Sequence, residues 1–359
     1  MTTNFSRRQF LGAAATAIAA SGFSSMAGGV AAESTAADGW KWQPLSKSKY
    51  FPGTSILTHL PDDLYWENFK KAGFEGLMPN HWDITIEEAR KIRLVMERHE
   101  LRIHCLCRGW LAANSPDKEI VEADIKSGEK ALRVAAAYGA SNILLVPAML
   151  GFGSSDTIEV PANLGGGTLK MPQPWEFEID FDPKTLRVKS VVAGDNAPYT
   201  DYINAQNHAT ESSLRAIERL IPIAAHEGVI IGPENVWNGL WCTPEYFAAF
   251  THYFDSPWVR PHFDLGNHTK FSRCEEWLKA LGRSIVSMDI KDFAVTEVKG
   301  NRGGGPGDWA PIGQGTVDWK NVRKTLEEIR YSGWVSVEPA AGNLTDEEHS
   351  KFLDEHFGT

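Results

Sequence analysis

Hydrophobic and polar positions along the chain follow two periods in turn. Short apolar runs, most of them rich in β-branched residues, recur at 53–57, 74–78, 101–106, 142–146, 229–233, 259–264, 285–290 and 334–338. Runs of this length bounded by turn residues predict buried strands. Between them lie stretches with apolar residues three and four apart, the spacing of one helical face. Residues 85–99 (TIEEARKIRLVMERH) and 119–138 show that spacing best. Gly73, Gly139, Gly228 and Gly333 fall just after helical patterns, where a left-handed C-terminal cap is wanted. Eight strand-helix units result.

Strands that alternate with helices pair in parallel, because each helix returns the chain to the same edge of the sheet. Eight such units over roughly 300 residues predict an α/β fold of one domain, a closed (β/α)8 TIM barrel, spanning 50–358. An open doubly wound sheet would usually carry a Gly-rich phosphate loop after its first strand, and no G-x-G-x-x-G stands there. One segment, 149–200, breaks the rhythm after the fourth strand. Within it 175–181 (WEFEIDF) and 186–192 (LRVKSVV) alternate apolar and charged residues across Asp182-Pro183-Lys184-Thr185. This predicts a hairpin with Glu178 and Asp180 facing Arg187 and Lys189. An insertion that follows a strand belongs at the C-terminal rim, where it either covers the site or elaborates the surface.

Composition narrows the functional classes. At 42% hydrophobic and 23% charged, the 359 residues form an ordinary soluble globule. The formal net charge is -10, and the first 32 residues carry Arg7 and Arg8 with no acid, so the remainder is more acidic still. An acidic body argues against a nucleic-acid partner and suits divalent cations and neutral sugars. Cys105, Cys107, Cys242 and Cys274 form no C-x-x-C pair. They read as buried free thiols, with a disulfide left open in an oxidising compartment.

The N-terminus has its own signature. Residues 6–12 read SRRQFLG, an Ala-rich, mildly apolar stretch follows, and Val30-Ala31-Ala32 offers small residues for signal peptidase. These features predict a twin-arginine signal over 1–32, recognition by the twin-arginine export machinery and a periplasmic location. That route carries folded proteins, often loaded with a metal or cofactor. The apolar run is too short and too rich in Gly and Ser for a stable membrane span, and no other segment is long enough.

In a barrel of this kind the active residues project from the C-terminal ends of the strands. The fifth runs into Gly232-Pro233-Glu234-Asn235-Val236-Trp237-Asn238 and the sixth into His262-Phe263-Asp264-Leu265-Gly266-Asn267-His268. The seventh runs into Met288-Asp289-Ile290-Lys291-Asp292-Phe293 and the eighth into Val337-Glu338-Pro339. One acid after a strand often caps the next helix. Four on successive strands converge on one mouth, where packed carboxylates repel unless protons or a cation neutralise them. A divalent metal is the simplest answer. Oxygen-only ligands favour Mn²⁺ or Mg²⁺, with Co²⁺ or Zn²⁺ possible if His268 or a water completes the shell. Such an ion would hold neighbouring oxygens of a hydroxy-carbonyl substrate and stabilise an enediolate, while one carboxylate removes the proton between them.

The strings PENVWN, FDLGN, DIKDF, IGQGTVDW and GWVSVEP, spread over 220–342, together resemble the xylose isomerase-like barrel superfamily. The resemblance is to its sugar (phosphate) isomerase/epimerase group, which includes pentulose-phosphate 3-epimerases, ketose 3-epimerases and hydroxypyruvate isomerases. It implies that Glu234, Asp264 and Glu338 are metal ligands, with Glu234 and Glu338 the acid/base pair on opposite faces of the substrate carbon. The histidine usual at the seventh strand is Asp289 here, which makes the site an all-carboxylate one. Lys291 would reach a substrate oxygen or stabilise that seventh-strand acid. His59, His81, His104, Arg108, Trp110, Trp237 and His268 occupy plausible rim positions. His104, Arg108, Trp237, Asn267 and His268 are the candidates for binding substrate. The stretch 300–307 (GNRGGGPG) lacks a Lys-Ser/Thr signature and reads as a mobile rim loop rather than a phosphate cradle.

The leading expectation is a metal-dependent isomerase or epimerase acting on a free sugar or sugar derivative through Glu234, Glu338 and Lys291. A lyase or hydrolase acting on 3-keto-glycosides with the same site stays close to it. A non-catalytic carbohydrate-binding barrel is disfavoured, because a retained carboxylate cluster destabilises unless a cation is bound. An endonuclease for abasic DNA conflicts with the acidic charge and the export signal.

Overall fold

The structure, a computed structural model, describes residues 41–51, 55–151 and 156–358; the expected export signal lies outside them. The strands of the barrel are β1 (Ser46–Phe51), β2 (Gly76–Pro79), β3 (Cys105–Trp110), β4 (Asn142–Val146), β5 (Ile230–Pro233), β6 (His262–Asp264), β7 (Ser287–Ile290) and β8 (Trp334–Val337). The helices packed around them are α1 (Asp63–Lys71), α2 (Ile86–Arg98), α3 (Lys118–Tyr138), α4 (Thr200–Glu227), α5 (Pro244–His252), α6 (Cys274–Leu281), α7 (Trp319–Glu328) and α8 (Asp346–Phe357).

All the barrel pairings are parallel and they close a ring. β8 pairs with β1 and β1 with β2. β2 pairs with Arg102–Ile103, which leads into β3. β3 pairs with β4 and β4 with β5. Bridges Ile231↔Val259 and Glu234↔His262 join β5 to β6, and β6, β7 and β8 pair in order. The predicted eight-stranded barrel is therefore the observed fold. Its main apolar core lies between strands and helices. The lumen is divided: Met78, Cys105, Cys107, Leu144 and Val146 form an apolar side, whereas Ser48, Asn142, His262, Ser287 and Ser336 are buried polar residues. All four cysteines are free and buried.

Local signals hold where hydrogen bonds can be counted. Thr85 and Glu88 form a capping box at the start of α2, and Gly139 ends α3 in the left-handed conformation with φ +80°. Gly333 is a correction: α7 already stops at Glu328, and Arg330 takes the positive φ of 57°. Gly333 is small for a different reason, since a Cβ there would collide with the Tyr331 hydroxyl.

The first strand is a second correction. The apolar run at 53–57 does not supply it; Ser55–Thr58 is a helical turn and the strand is the polar Ser46–Phe51, so the barrel begins before residue 50. Its alternation is polar because both faces have polar partners. Ser48 meets Ser336 on the neighbouring strand β8 at 2.6 Å, while Lys47 pairs with Asp354 at 2.6 Å and Lys49 with Asp346, both on α8.

The insertion between β4 and α4 carries the expected hairpin, shortened to Asp180–Phe181 against Val188–Ser190, with Lys189 3.6 Å from Asp180. Trp175 lies in a 3₁₀ turn instead. A second hairpin, Thr157–Glu159 against Thr168–Lys170, was not anticipated. The glycine-rich stretch 300–307 is likewise an ordered hairpin end rather than a separate loop. Asp292–Val295 pairs with Gly307–Ala310 around it, and Lys299 N–H donates to the Gly304 carbonyl at 2.7 Å. Gly305 and Gly307 are needed because a Cβ at either would collide with the carbonyl of Glu297 or Ala294. Among the described residues, no helix is long and apolar enough to cross a membrane.

Candidate metal centre

Strand parity delivers the carboxylates. Along β7, Met288 and Ile290 pack outward into the main core, so Ser287, Asp289 and then Lys291 face the lumen. On β8 the same parity sends Ser336 and Glu338 inward, and the register sets Asp264 beside Asp289 and Asp289 beside Ser336. Glu234 follows β5 directly. One oxygen from each of Glu234, Asp264, Asp289 and Glu338 lies within 4.8 Å of the other three.

Each carboxylate is held by a different device. The backbone N–H groups of Gly266 and Asn267 donate to Asp264 Oδ1 at 2.8 and 2.7 Å, and Asn235 ties β5 to β6 through the Asp264 backbone at 2.8 and 2.9 Å. Asn267 Nδ2 donates to Glu234 Oε1 at 3.0 Å. Lys291 Nζ stands 2.8 Å from Glu338 Oε2 and 3.1 Å from Asp264 Oδ2. It therefore pairs with the sixth- and eighth-strand acids, not with the seventh-strand acid it was expected to stabilise. Asp289 instead has His262 Nε2 3.0 Å from Oδ2, at an angle too poor for a hydrogen bond.

The electrostatics are those of a site short of positive charge. Burial, then the charges of Asp264 and Glu338, push the Glu234 carboxyl well above its ordinary range. Burial is also the main reason that Asp264 rises to about 7, with Lys291 opposing and Glu338 and Asp289 adding to it. Burial disfavours the Lys291 ammonium, yet Asp264 and Glu338 outweigh it and the pKa rises. Asp264 Oδ2 and both Asp289 oxygens are buried without a hydrogen bond. Four carboxylates, one ammonium and three unbonded buried oxygens fit a hard divalent cation, which would satisfy what protein donors leave open.

A cleft of about 500 Å3 opens over this centre. Glu234, Lys291 and Glu338 line it, together with Tyr50, Asn80, Trp82, Arg108, Trp110 and the apolar lumen side. Among the described residues, none of its lining comes from the insertion, which packs on the β5 loop and α5 through Leu150, Leu186 and Phe181.

The expected substrate-binding residues are mostly placed elsewhere. His104 is sealed in the lumen: Nε2 is 2.6 Å from Ser48 Oγ, the ring stacks on Trp334 at 4.5 Å, and burial lowers its pKa to about 3. His268 lies behind Asn235, between Phe271 and Trp277. Trp237 has both faces covered, by Trp309 at 4.7 Å and by Lys270 Nζ 3.3 Å from the ring centre, and its indole N–H donates to the Asn267 carbonyl. Asn267 holds Glu234. Arg108 alone lines the cleft. Strand ends can be read from sequence, but these residues lie one layer behind the mouth or have their faces taken by neighbours distant in the chain.

Several contributors were missed. Tyr50 belongs to the polar first strand, and Trp309 to the unanticipated hairpin. Asp292 organises the IGQG segment, accepting from the backbone of Gly313 and Gly315 at 3.0 and 3.1 Å; its place in DIKDF was the only signal.

The xylose isomerase-like TIM barrel family matches residues 66–356. The chain belongs to that family. Proteins similar to it include an L-ribulose-5-phosphate 3-epimerase, UlaE, of Escherichia coli O1:K1 / APEC, 24% identical over 139 residues. That stretch is 38% of this chain and 46% of the relative, so the match spans about half the relative's length. A solved D-tagatose 3-epimerase-like protein superposes with a TM-score of 0.59 at 16% identity, over 87% of this chain and 97% of that one. A 3-keto-D-glucoside 4-epimerase from E. coli gives 0.55 at 15% identity, over 88% and 97%. A Mycobacterium smegmatis barrel solved with magnesium gives 0.53 at 16%, also over 88% and 97%. At these identities the solved structures establish the shared fold.

Proposed function

We propose that the chain is a divalent-metal-dependent sugar isomerase or epimerase that moves a proton on the carbon beside a carbonyl of a free sugar or sugar derivative. The observation that carries this reading is the meeting of Glu234, Asp264, Asp289 and Glu338 within 4.8 Å at the floor of an open cleft. The epimerase relatives support the substrate class. Glu234, Asp264, Asp289 and Glu338 would hold the metal, which would supply Lewis-acid polarisation of the substrate carbonyl and so acidify the C–H on the adjacent carbon; Mn²⁺ or Mg²⁺ suits the oxygen donors best.

The protein's own residues supply the remainder. Glu234 and Glu338 line the cleft and are the acid/base pair. Asn267 fixes one oxygen of Glu234 and leaves the other for the reaction. The Lys291 ammonium keeps Glu338 and Asp264 in place and offers its remaining proton to a substrate oxygen. Tyr50, Trp82 and the apolar lumen side keep bulk water from one flank of the reacting carbon.

The decisive test is incorporation of solvent deuterium beside the carbonyl of a ketose by the Mn²⁺-loaded protein, with the carbon skeleton intact. Release of an aglycone from a 3-keto-glycoside would favour the lyase reading. Binding without exchange or release would leave only a carbohydrate-binding barrel. We also propose export by the twin-arginine route to the periplasm, on Arg7, Arg8 and the small residues at 30–32; retention of an Arg7→Lys/Arg8→Lys double variant in the cytoplasm tests it.

A further inference from the structure

His262 has no part in the acid/base chemistry, yet its imidazole touches one of the four carboxylates. On β6, Phe263 packs outward into the main core, so His262 and Asp264 face the lumen. Gly232 on β5 leaves room for the ring, since a Cβ there would stand 3.2 Å from the His262 Cβ and 2.8 Å from the Ile143 carbonyl oxygen. The ring is fully buried, with Nδ1 2.8 Å from Ser287 Oγ and Nε2 3.0 Å from Asp289 Oδ2. Nε2 has no hydrogen bond elsewhere, and neither Asp289 oxygen has one at all.

Both ends of this row place the same proton. On the Ser287 side, Asn142 Nδ2 donates to Ser287 Oγ at 2.9 Å. The hydroxyl accepts that bond, and His262 Nδ1 is the acceptor left for its own proton. Nδ1 of the neutral ring is then the bare nitrogen, and Nε2 carries the N–H. On the Asp289 side, a bare nitrogen and a carboxylate oxygen 3.0 Å apart would repel, so that contact also requires the proton on Nε2. Distance is already right for a hydrogen bond and only the angle falls short. A carboxylate turns easily enough about its last torsion to correct it.

A ring nitrogen that carries a proton has no lone pair for a cation. His262 therefore borders the centre without joining it. We propose that His262 is the positioning residue of the metal centre: its Nε2–H holds Asp289 Oδ2, under the direction of Asn142 and Ser287, and leaves the other oxygen for the ion. The shell stays all-oxygen, which suits Mn²⁺ or Mg²⁺, whereas a bare imidazole nitrogen would draw the site towards Zn²⁺. This rests on the metal reading of the four carboxylates and is independent of the substrate and of proton transfer.

The full chain tests it without any substrate. Nitrogen NMR of the imidazoles, with His262 assigned by its loss in His262→Gln, should report the Nε2–H form in the metal-free and the Mg²⁺-loaded protein; the Nδ1–H form in either would overturn the proposal. Pulsed EPR of the Mn²⁺-loaded protein should show no directly bonded imidazole nitrogen. A nitrogen coupling that vanishes in His262→Gln would make His262 a ligand and overturn the proposal as well. Calorimetric titration with Mn²⁺ should give an affinity about 10–100-fold weaker for His262→Leu, with most of it recovered in His262→Gln, whose amide keeps a donor where Nε2 stood. Ser287→Ala removes the hydroxyl that reserves Nε2 for the proton, so it should raise the affinity for Zn²⁺ relative to Mn²⁺, and an unchanged ratio counts against the role given to Ser287. If His262→Leu does not fold, the NMR and EPR results on the unsubstituted protein decide alone. Equal Mn²⁺ affinity in His262→Leu and the unsubstituted protein would sink this proposal only, whereas no Mn²⁺ binding by the unsubstituted protein would sink the metal reading with it.

Discussion

Stability should depend on divalent metal, and that dependence should itself depend on pH. Asp264 is fully buried, and its pKa is pushed from 3.8 to about 7, chiefly by burial. For an acid raised in this way, the folded metal-free protein keeps a proton that the unfolded chain has already lost, so stability falls as pH rises from about 4 to about 7. At ~1.4 kcal/mol per tenfold change, ionised Asp264 carries a penalty on the order of 4 kcal/mol at neutral pH. Glu234 is shifted in the same direction. A cation relieves that penalty at pH 7.5, whereas at pH 5 it must first displace the proton, which removes about 3 kcal/mol of the benefit. His104, lowered to about 3 by burial, works in the opposite sense, adding stability as pH rises towards 6.5. That contribution is common to both metal states and cancels in their difference. Thermal melts with and without Mn²⁺ should show a metal-induced Tm increase about 5–10 °C larger at pH 7.5 than at pH 5, at 2–4 °C per kcal/mol for a domain of this size. An increase equal at both pH values, or absent at pH 7.5, would refute the reasoning.

Three substitutions probe single residues. Glu338→Gln keeps the fold and should lower kcat by about 10²–10⁴, measured as deuterium exchange; retention of full activity would remove Glu338 from the acid/base role. Lys291→Met leaves Asp264 and Glu338 without their ammonium and should destabilise the metal-free protein by about 3–5 kcal/mol in denaturant melts, and an unchanged midpoint would show that the pair is not coupled to folding. His104→Ala should lower stability by about 2–3 kcal/mol through the lost Trp334 stack and unmet lumen hydroxyls, with KM little changed; a large rise in KM would return His104 to the substrate.

The barrel was legible because parity and period are local properties. Alternating runs predicted seven strands near their observed places, and the acids at four successive strand ends predicted the centre, since strand parity alone decides which side chains face the lumen. The first strand escaped because its partners are remote: Lys47 and Lys49 answer carboxylates about 300 residues away on α8, so a polar stretch became a barrel strand. Lys291 illustrates the same limit. Its position two residues after Asp289 placed it in the lumen, but not between Asp264 and Glu338.

By itself, the sequence determined the (β/α)8 ring, the four converging carboxylates and the acidic character of the mouth, because each follows from spacing along the chain. Only the tertiary structure decided which rim residues are available. His104 was withdrawn into the lumen, Trp237 was covered by Lys270 and Trp309, and Arg108 was committed to α3. Availability depends on what packs against a side chain from other elements, and no periodicity in one dimension encodes that contact.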